Sequence, residues 1–288
     1  MEKELHVCAC ADQMFIKFVP ALFESAARFH KSGVVFHLIT DELLDKKVKK
    51  HIESLIYENN FEIHVIDSSE FSKYKECAHF SKAMYYRYKI PDLLQGIDWA
   101  LYLDCDMLVR KEITHIFDYA NDEFALAACL NPFFTRKNSL ELTGSEYFNS
   151  GLMLINCNYW RSNNILSKLV LILSEKTDVL EMPDQDALNI LFDDKWLKIP
   201  AKFNAQTSMF LQPSKAIREN VEYKIALEDP VIVHFSSPNK SWHLSCSSRY
   251  RKEYLKLESS ITISRRNLFL DLLSRFSSEI RFFLSRLR

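Results

Sequence analysis

Leu101-Tyr102-Leu103-Asp104-Cys105-Asp106-Met107-Leu108-Val109 is an apolar run broken by two acids. The run reads as a buried strand. In an extended chain positions i and i+2 point the same way, so Asp104 and Asp106 converge if the strand ends between them. Two adjacent carboxylates repel each other and are costly to desolvate unless a cation sits between them. Oxygen ligands suit a hard cation such as Mg2+ or Mn2+. The stretch alone supports two readings: a divalent-metal site that also holds a diphosphate, or a turn with two solvated acids.

The flanking sequence alternates strand and helix, the signature of a parallel sheet with crossover helices. Leu5 to Ala11 is a first strand, and Asp12-Gln13 breaks it. Phe15, Phe18, Val19, Leu22, Phe23 and Ala26 recur at helical spacing within a helix from Phe15 to His30, and Gly33 stops it. Val34 to Ile39 is a second strand, followed by a helix from Asp41 to Tyr57 with Asp41 as N-cap. Phe61 to Ile66 is a third strand. A helix from Lys82 to Lys89 ends at Pro91 and leads into the acidic stretch. Farther on, Glu112 to Tyr119 is a short helix and Phe124 to Leu130 a strand. Leu152 to Ile155 follows Tyr147-Phe148-Asn149-Ser150-Gly151, and Asn156 to Ser174 is mostly helical. Asp184-Gln185-Asp186 opens a helix through Leu191, where Asp184 reads equally as an ordinary N-cap. Val231 to Val233 is a strand that delivers His234. Ligands in open parallel sheets sit outside the carboxyl ends of strands. Asp12 and the acidic pair fall at such ends, which favours the metal reading.

Composition narrows the function. The chain has 288 residues, 48% hydrophobic and 26% charged, enough for one large domain or a domain with an appendage. A net charge of -1 gives no general pull toward nucleic acid. The four glycines form neither a Gly-x-Gly-x-x-Gly turn nor a phosphate-binding loop ending in Gly-Lys-Ser/Thr. Seven cysteines, without a Cys-x-x-Cys pair, argue against a zinc cluster or redox dithiol. Met1-Glu2-Lys3-Glu4 does not open a signal peptide, and no window nears about 18 apolar residues. A reducing cytosol is the expected setting.

The end of the chain has another character. Leu268, Leu272, Phe276, Ile280, Phe283 and Leu287 form one helical stripe, widened by Phe269 and Leu273. Arg275 and Arg286 border it on one side, Arg281 and Arg288 on the other. Such a helix either lies in a membrane interface or docks on the protein's own core. Six arginines in this tail favour an anionic membrane surface. The expected division is a catalytic domain over residues 1–250 and basic amphipathic membrane-associating helices over 251–288.

Four signals in order carry a resemblance to glycosyltransferase family 8, in particular to bacterial lipopolysaccharide and lipooligosaccharide galactosyl- and glucosyltransferases. They are Leu101 through Asp106; Tyr147 to Gly151 with Leu154-Ile155-Asn156; Asp184-Gln185-Asp186-Ala187-Leu188-Asn189; and His234 through His243. The resemblance implies an α/β GT-A fold, a Rossmann-like, mostly parallel sheet flanked by helices. It also implies retaining transfer of a hexose, galactose before glucose, from a UDP-sugar to a lipid-linked oligosaccharide at the inner face of the cytoplasmic membrane. Asp104, Asp106 and His234 would ligate Mn2+ or Mg2+, and Lys240 would meet the diphosphate as a point charge. Asp12 would hold the uracil or ribose end, with Phe15 able to stack on the base. Cys10 and Cys105 would line the donor site. His79 and Arg87 would sit over the donor, and Asn149, Asp184 and Gln185 would surround the sugar.

Retention in glycosidases ordinarily uses a carboxylate nucleophile beside the sugar, about 5 Å from a second carboxyl. The family's corresponding position is Gln185, and an amide is a poor nucleophile. Front-face attack, with UDP taking the acceptor's proton, is therefore the expected course. The chain departs from the family at Met14, where Asn is usual, at Ser237, where Gly is usual, and at Asn131, where relatives carry an Asp near the sugar. Two alternatives remain: a sugar-nucleotide binder without transfer activity, and an aspartate-dependent phosphatase, whose motif wants Thr or Val where Leu108 stands.

Overall fold

A computed structural model describes residues 4–74, 81–135, 139–144, 146–193, 195–211, 217 and 219–261. The first half builds a parallel sheet from strands β1 (Leu5–Cys10), β2 (Val34–Thr40), β3 (Asn60–Val65) and β4 (Trp99–Leu103). Strands β6 (Leu126–Leu130), β7 (Phe148–Asn156) and β8 (Leu197–Lys198) complete seven, in the order β3-β2-β1-β4-β7-β6-β8. Only β7 runs against its neighbours, antiparallel to both β4 and β6. Both faces of the sheet are covered, which is why β1 and β2 read as near-continuous apolar runs. Val7 and Ala9 join one core with helix α1 (Val19–Ala27), while Cys8 and Cys10 join the other.

The decisive stretch is not one strand. After Leu103 the chain leaves the large sheet, turns through Asp104-Cys105-Asp106, and enters β5 (Met107–Val109) of a second sheet. That sheet pairs β5 antiparallel with β10 (Ile232–His234), which lies parallel to β9 (Ala205–Gln206). His234 stands opposite Met107, one residue past the acids. The Asp104 N–H donates to Gly151 O at 2.8 Å and the Phe235 N–H to Asp106 O at 3.0 Å, so the turn is pinned to both sheets.

Two local expectations shift. Helix α2 runs Lys46–Leu55, and Asp45 caps it through the Lys47 N–H, so Asp41 is not the cap. Asp41 follows β2 directly and lies beside Tyr86, whose hydroxyl pKa rises through burial and through Asp41. Pro91 does not stop the helix before the acids. Helix α3 (Ala83–Tyr86) is already over, and Pro91 occupies the first turn of a new one, α4 (Ile90–Leu93), where a missing N–H costs nothing. Pro20 does the same in α1, whose entry is a 3-10 turn, Ile16–Phe18.

The helix Arg251–Ile261 lays Tyr254 and Leu257 into the core beside α1. The rest of the basic tail, from residue 262 onward, lies outside the described residues, as does His79. Among the described residues no helix is long and apolar enough to cross a membrane.

Candidate active site

The cleft opens at the carboxyl ends of β1 and β4. His234 Nε2 lies 3.2 Å from Asp106 Oδ1 and 3.7 Å from Asp104 Oδ2. On its other side Nδ1 faces Asn204 Oδ1 at 2.9 Å. An amide oxygen only accepts, so Nδ1 carries a proton and Nε2 is the ring nitrogen turned to the acids.

Backbone donors fix the polarity of this chain of amides. The Gly151 N–H donates to Asn149 Oδ1 at 3.1 Å, so that oxygen also accepts Asn204 Nδ2 at 2.8 Å. The Ser150 N–H donates to Gln185 Oε1 at 2.9 Å, and Asn149 Nδ2 donates to the same oxygen at 3.0 Å. Gln185 Nε2 donates to the Tyr147 hydroxyl, which donates to Asp186 Oδ1 at 2.6 Å. A single hydrogen-bonded line therefore runs from the imidazole to Gln185. Asn149, expected at the sugar, spends both amide atoms inside this line.

Cationic groups bracket the acids. Lys240 Nζ lies 2.5 Å from Asp106 Oδ2. Burial opposes the Asp106 charge, but Lys240 and His234 outweigh it and hold this carboxyl well below the usual range. Arg87 is buried between Asp104 Oδ1 at 3.0 Å and Asp184 Oδ2 at 3.4 Å, over the Tyr102 ring. It also donates to Ser150 O at 2.8 Å. Burial disfavours the guanidinium, yet Tyr102, Asp104 and Asp184 raise its pKa above the ordinary value. Removing one partner of such a buried pair costs about 3–5 kcal/mol, because the other charge is left uncompensated. The Tyr102 hydroxyl donates to Asp104 Oδ1 at 2.5 Å. Asp184 is raised to about 6, chiefly by burial, with Asp104 adding to the rise against Arg87.

The donor set fits a divalent cation. The ligand atoms of Asp104, Asp106 and His234 lie within 4.8 Å of one another. Asp106 Oδ1 is buried without a hydrogen-bond partner, an arrangement that is expensive unless an ion completes it. A Cβ on Gly151 would stand 2.4 Å from His234 Cε1 and 2.7 Å from Asp104 Oδ2, so the hollow depends on glycine. Three carboxylates (Asp104, Asp106, Asp184) face two full cations (Arg87, Lys240), an excess of negative charge that suits a cation.

Three hollows lie here, and the central one shares lining residues with each of the other two. One, of about 500 Å³, is lined by Cys10, Phe15, Met84, Cys105 and Lys240 among others. Asp12 is not in its lining. Asp12 Oδ1 accepts the N–H groups of Met14 and Phe15, and so shapes the loop that presents Phe15. The central hollow holds Arg87, the acid pair, Asp184, Gln185, His234 and Lys240. The third opens past Gln185 toward Asn131, Phe134, Gln206 and Ser237. Ser237 is not among the residues of positive φ, and its hydroxyl donates to Asn239 O at 3.1 Å, so the turn closes without glycine.

Sequence reasoning missed Asn204, Tyr102 as a donor, and the steric role of Gly151. Asp184 is not the N-cap, a position Met182 holds, and Asp186 Oδ2 accepts the Glu181 and Met182 N–H groups just before the helix.

A model of glycosyl transferase family 8 matches residues 6–246. The chain belongs to glycosyltransferase family 8. General stress protein A of Bacillus subtilis (strain 168) is 31% identical over 262 residues, which are 87% of this chain and 91% of that one. The lipopolysaccharide 1,3-galactosyltransferase of Salmonella typhimurium is 29% identical over 74% of this chain and 65% of its own length. The lipopolysaccharide glucosyltransferase WaaO of Escherichia coli K12 is 27% identical over 74% and 64%. A crystal structure of galactosyltransferase LgtC with donor and acceptor sugar analogs superposes with a TM-score of 0.80 at 21% identity, covering 93% of this chain and all of that one. This likeness shows the GT-A type fold, and family 8 membership sets aside the phosphatase reading.

Proposed function

We propose that this family 8 protein is a retaining hexosyltransferase. It moves galactose, or next glucose, from a UDP-sugar to a lipopolysaccharide- or lipooligosaccharide-type acceptor. The observation that carries the reading is the meeting of Asp104, Asp106 and His234 around the unpartnered Asp106 Oδ1, beside Lys240. Those three residues would hold Mn2+ or Mg2+. When bound, the ion supplies neutralising charge for a departing nucleoside diphosphate.

The protein's own groups do the rest. Phe15, Cys10 and Met84 offer an apolar wall for a base, and Lys240 adds fixed positive charge at the diphosphate. Gln185 Oε1 already accepts from Ser150 N and Asn149 Nδ2, which leaves it poorly placed to attack carbon. Gln185 therefore positions the sugar, and the acceptor enters from the hollow lined by Phe134 and Gln206. Attack then comes on the face UDP leaves. A glycosyl adduct trapped on Gln185 or Asp184 would replace this course with a double displacement. The names of the lipopolysaccharide transferases among its relatives support the acceptor class.

A donor screen tests the proposal. With Mn2+, UDP-galactose is expected to raise the melting temperature most, UDP-glucose less and UDP-GlcNAc least, with slow hydrolysis of the preferred donor. No turnover of any UDP-hexose, even into water, would leave only a binding protein.

The tail extends the proposal to a location. Residues 1–250 carry the chemistry, and from 251 the chain leads through the docked helix Arg251–Ile261 to a basic amphipathic segment on the cytoplasmic face of an anionic membrane. Deleting residues 264–288 should release the protein from anionic vesicles in a flotation assay while transfer to soluble acceptors persists. A truncated chain that does not fold would show the segment to be core.

A further inference from the structure

Strands β1, β2 and β3 carry a second group of metal-type ligands, away from the cleft. His37 Nδ1 lies 3.0 Å from His64 Nε2. Glu62 Oε2 lies 3.4 Å from His37 Nδ1 and 3.8 Å from His64 Nε2. The register explains the grouping. Parallel pairing sets Glu62 opposite His37 and His64 opposite Ile39, and the two-residue period brings all three side chains to one face.

We propose that His37, His64 and Glu62 form a Zn2+ site that clamps the edge strand β3 to β2. The dimensions fit. Tetrahedral Zn2+ with bonds of about 2.0–2.1 Å holds its ligand atoms about 3.3–3.4 Å apart. The three separations here bracket that value, and a point about 2.1 Å from all three atoms lies about 0.7 Å off their plane, as tetrahedral coordination requires. An ion there stands off the line between the two nitrogens, on the side where the carboxylate reaches in.

The surroundings fit as well. Metal-bound imidazoles usually donate their second N–H to an outer partner, which fixes the ring. His37 Nε2 has one in His6 Nδ1, at 3.0 Å. His37 is buried, His64 half-buried and Glu62 exposed, so solvent reaches the site and a water can complete the tetrahedron. Two imidazoles and one carboxylate make a softer set than the two carboxylates and one imidazole of the cleft, so the two sites prefer different ions. Three strand spacings of about 4.8 Å separate β3 from β4, which leads into Asp104. The clamp also has a physical purpose. β3 ends the sheet, and its residues are mostly exposed or half-buried, so little apolar burial holds it in place.

Zn2+ titration of the full chain tests this, by calorimetry and by melting temperature. The wild-type protein is expected to bind one equivalent that survives Asp106→Asn and raises the melting temperature. Glu62→Gln and His64→Gln should each weaken that equivalent at least about tenfold and remove the rise. Co2+ at the same site should give a tetrahedral visible spectrum that both variants lose. Glu62 is exposed and its replacement isosteric, so this variant stays informative if His64→Gln folds poorly. The proposal is overturned if no Zn2+ binds beyond what Asp106→Asn removes, or if both variants bind as the wild type does. These readouts do not involve a sugar donor, so they stand or fall apart from the transferase reading.

Discussion

An Asp106→Asn protein is expected to fold normally and to transfer sugar at least about a thousandfold more slowly than wild type, a loss of about 4 kcal/mol of transition-state stabilisation. The substitution is chosen with Lys240 in mind. Asp106→Ala would leave the buried ammonium without its partner and confuse a folding defect with a chemical one. Asn keeps an acceptor for Lys240 while removing the charge that faces His234 Nε2 across 3.2 Å. His234→Ala should match it in rate, because either change leaves two ligands of three. Turnover with Mn2+, and Mn2+ affinity measured by electron paramagnetic resonance, should fall together while the circular dichroism spectrum is preserved. Wild-type turnover in either variant would end the metal assignment, since among the described residues no other group in the cleft supplies the missing positive charge.

Much of this site was legible in the sequence, for reasons that also mark the limit. The acids announced themselves because two charges interrupt an apolar run, and burial punishes charge unless something compensates it. The alternation of strand and helix was legible because buried strands such as β2 and β4 read as short apolar runs, while the helix after β1 repeats its apolar residues at helical spacing. The turn was not. The apolar character that stops at the acids and resumes after them gives no sign that the two halves belong to different sheets, because β5 finds its partner in β10, far along the chain. Asn204 carried no local signal, since its role is to hold a ring thirty residues later in the sequence. Asp12 was legible as a functional loop residue, but the backbone claimed its Oδ1 for Met14 and Phe15.

Glycine gives the sharpest contrast. Gly33 and Gly96 take positive φ, and a Cβ on either would find no atom within 4 Å, so their purpose is conformational, and Gly33 could be read as a helix stop. Gly151 is required for space alone, and only the fold shows what fills that space.

Gly151→Ala should therefore disable the cleft although glycine and alanine differ by one methyl group. The added Cβ would meet His234 Cε1 at 2.4 Å, Asp104 Oδ2 at 2.7 Å and Asn149 Oδ1 at 3.0 Å. None of these yields easily. Asp104 is held by Arg87 and Tyr102, His234 by Asn204, and Asn149 by both Asn204 and Gln185. The backbone cannot retreat either, because Gly151 O accepts the Asp104 N–H and the next residue, Leu152, pairs with Leu103. Overpacking of this kind costs about 1–3 kcal/mol of stability, which a domain of this size survives. The chemistry is less forgiving, because the displaced groups are two of the three proposed ion ligands and the amide that links them to Gln185. Mn2+ affinity is expected to fall about 10- to 100-fold and turnover at least as far, with only a modest drop in melting temperature. An Ala variant with wild-type Mn2+ affinity and turnover would mean that imidazole and carboxylate do not meet over this glycine, and the cleft would have to be rebuilt around another centre.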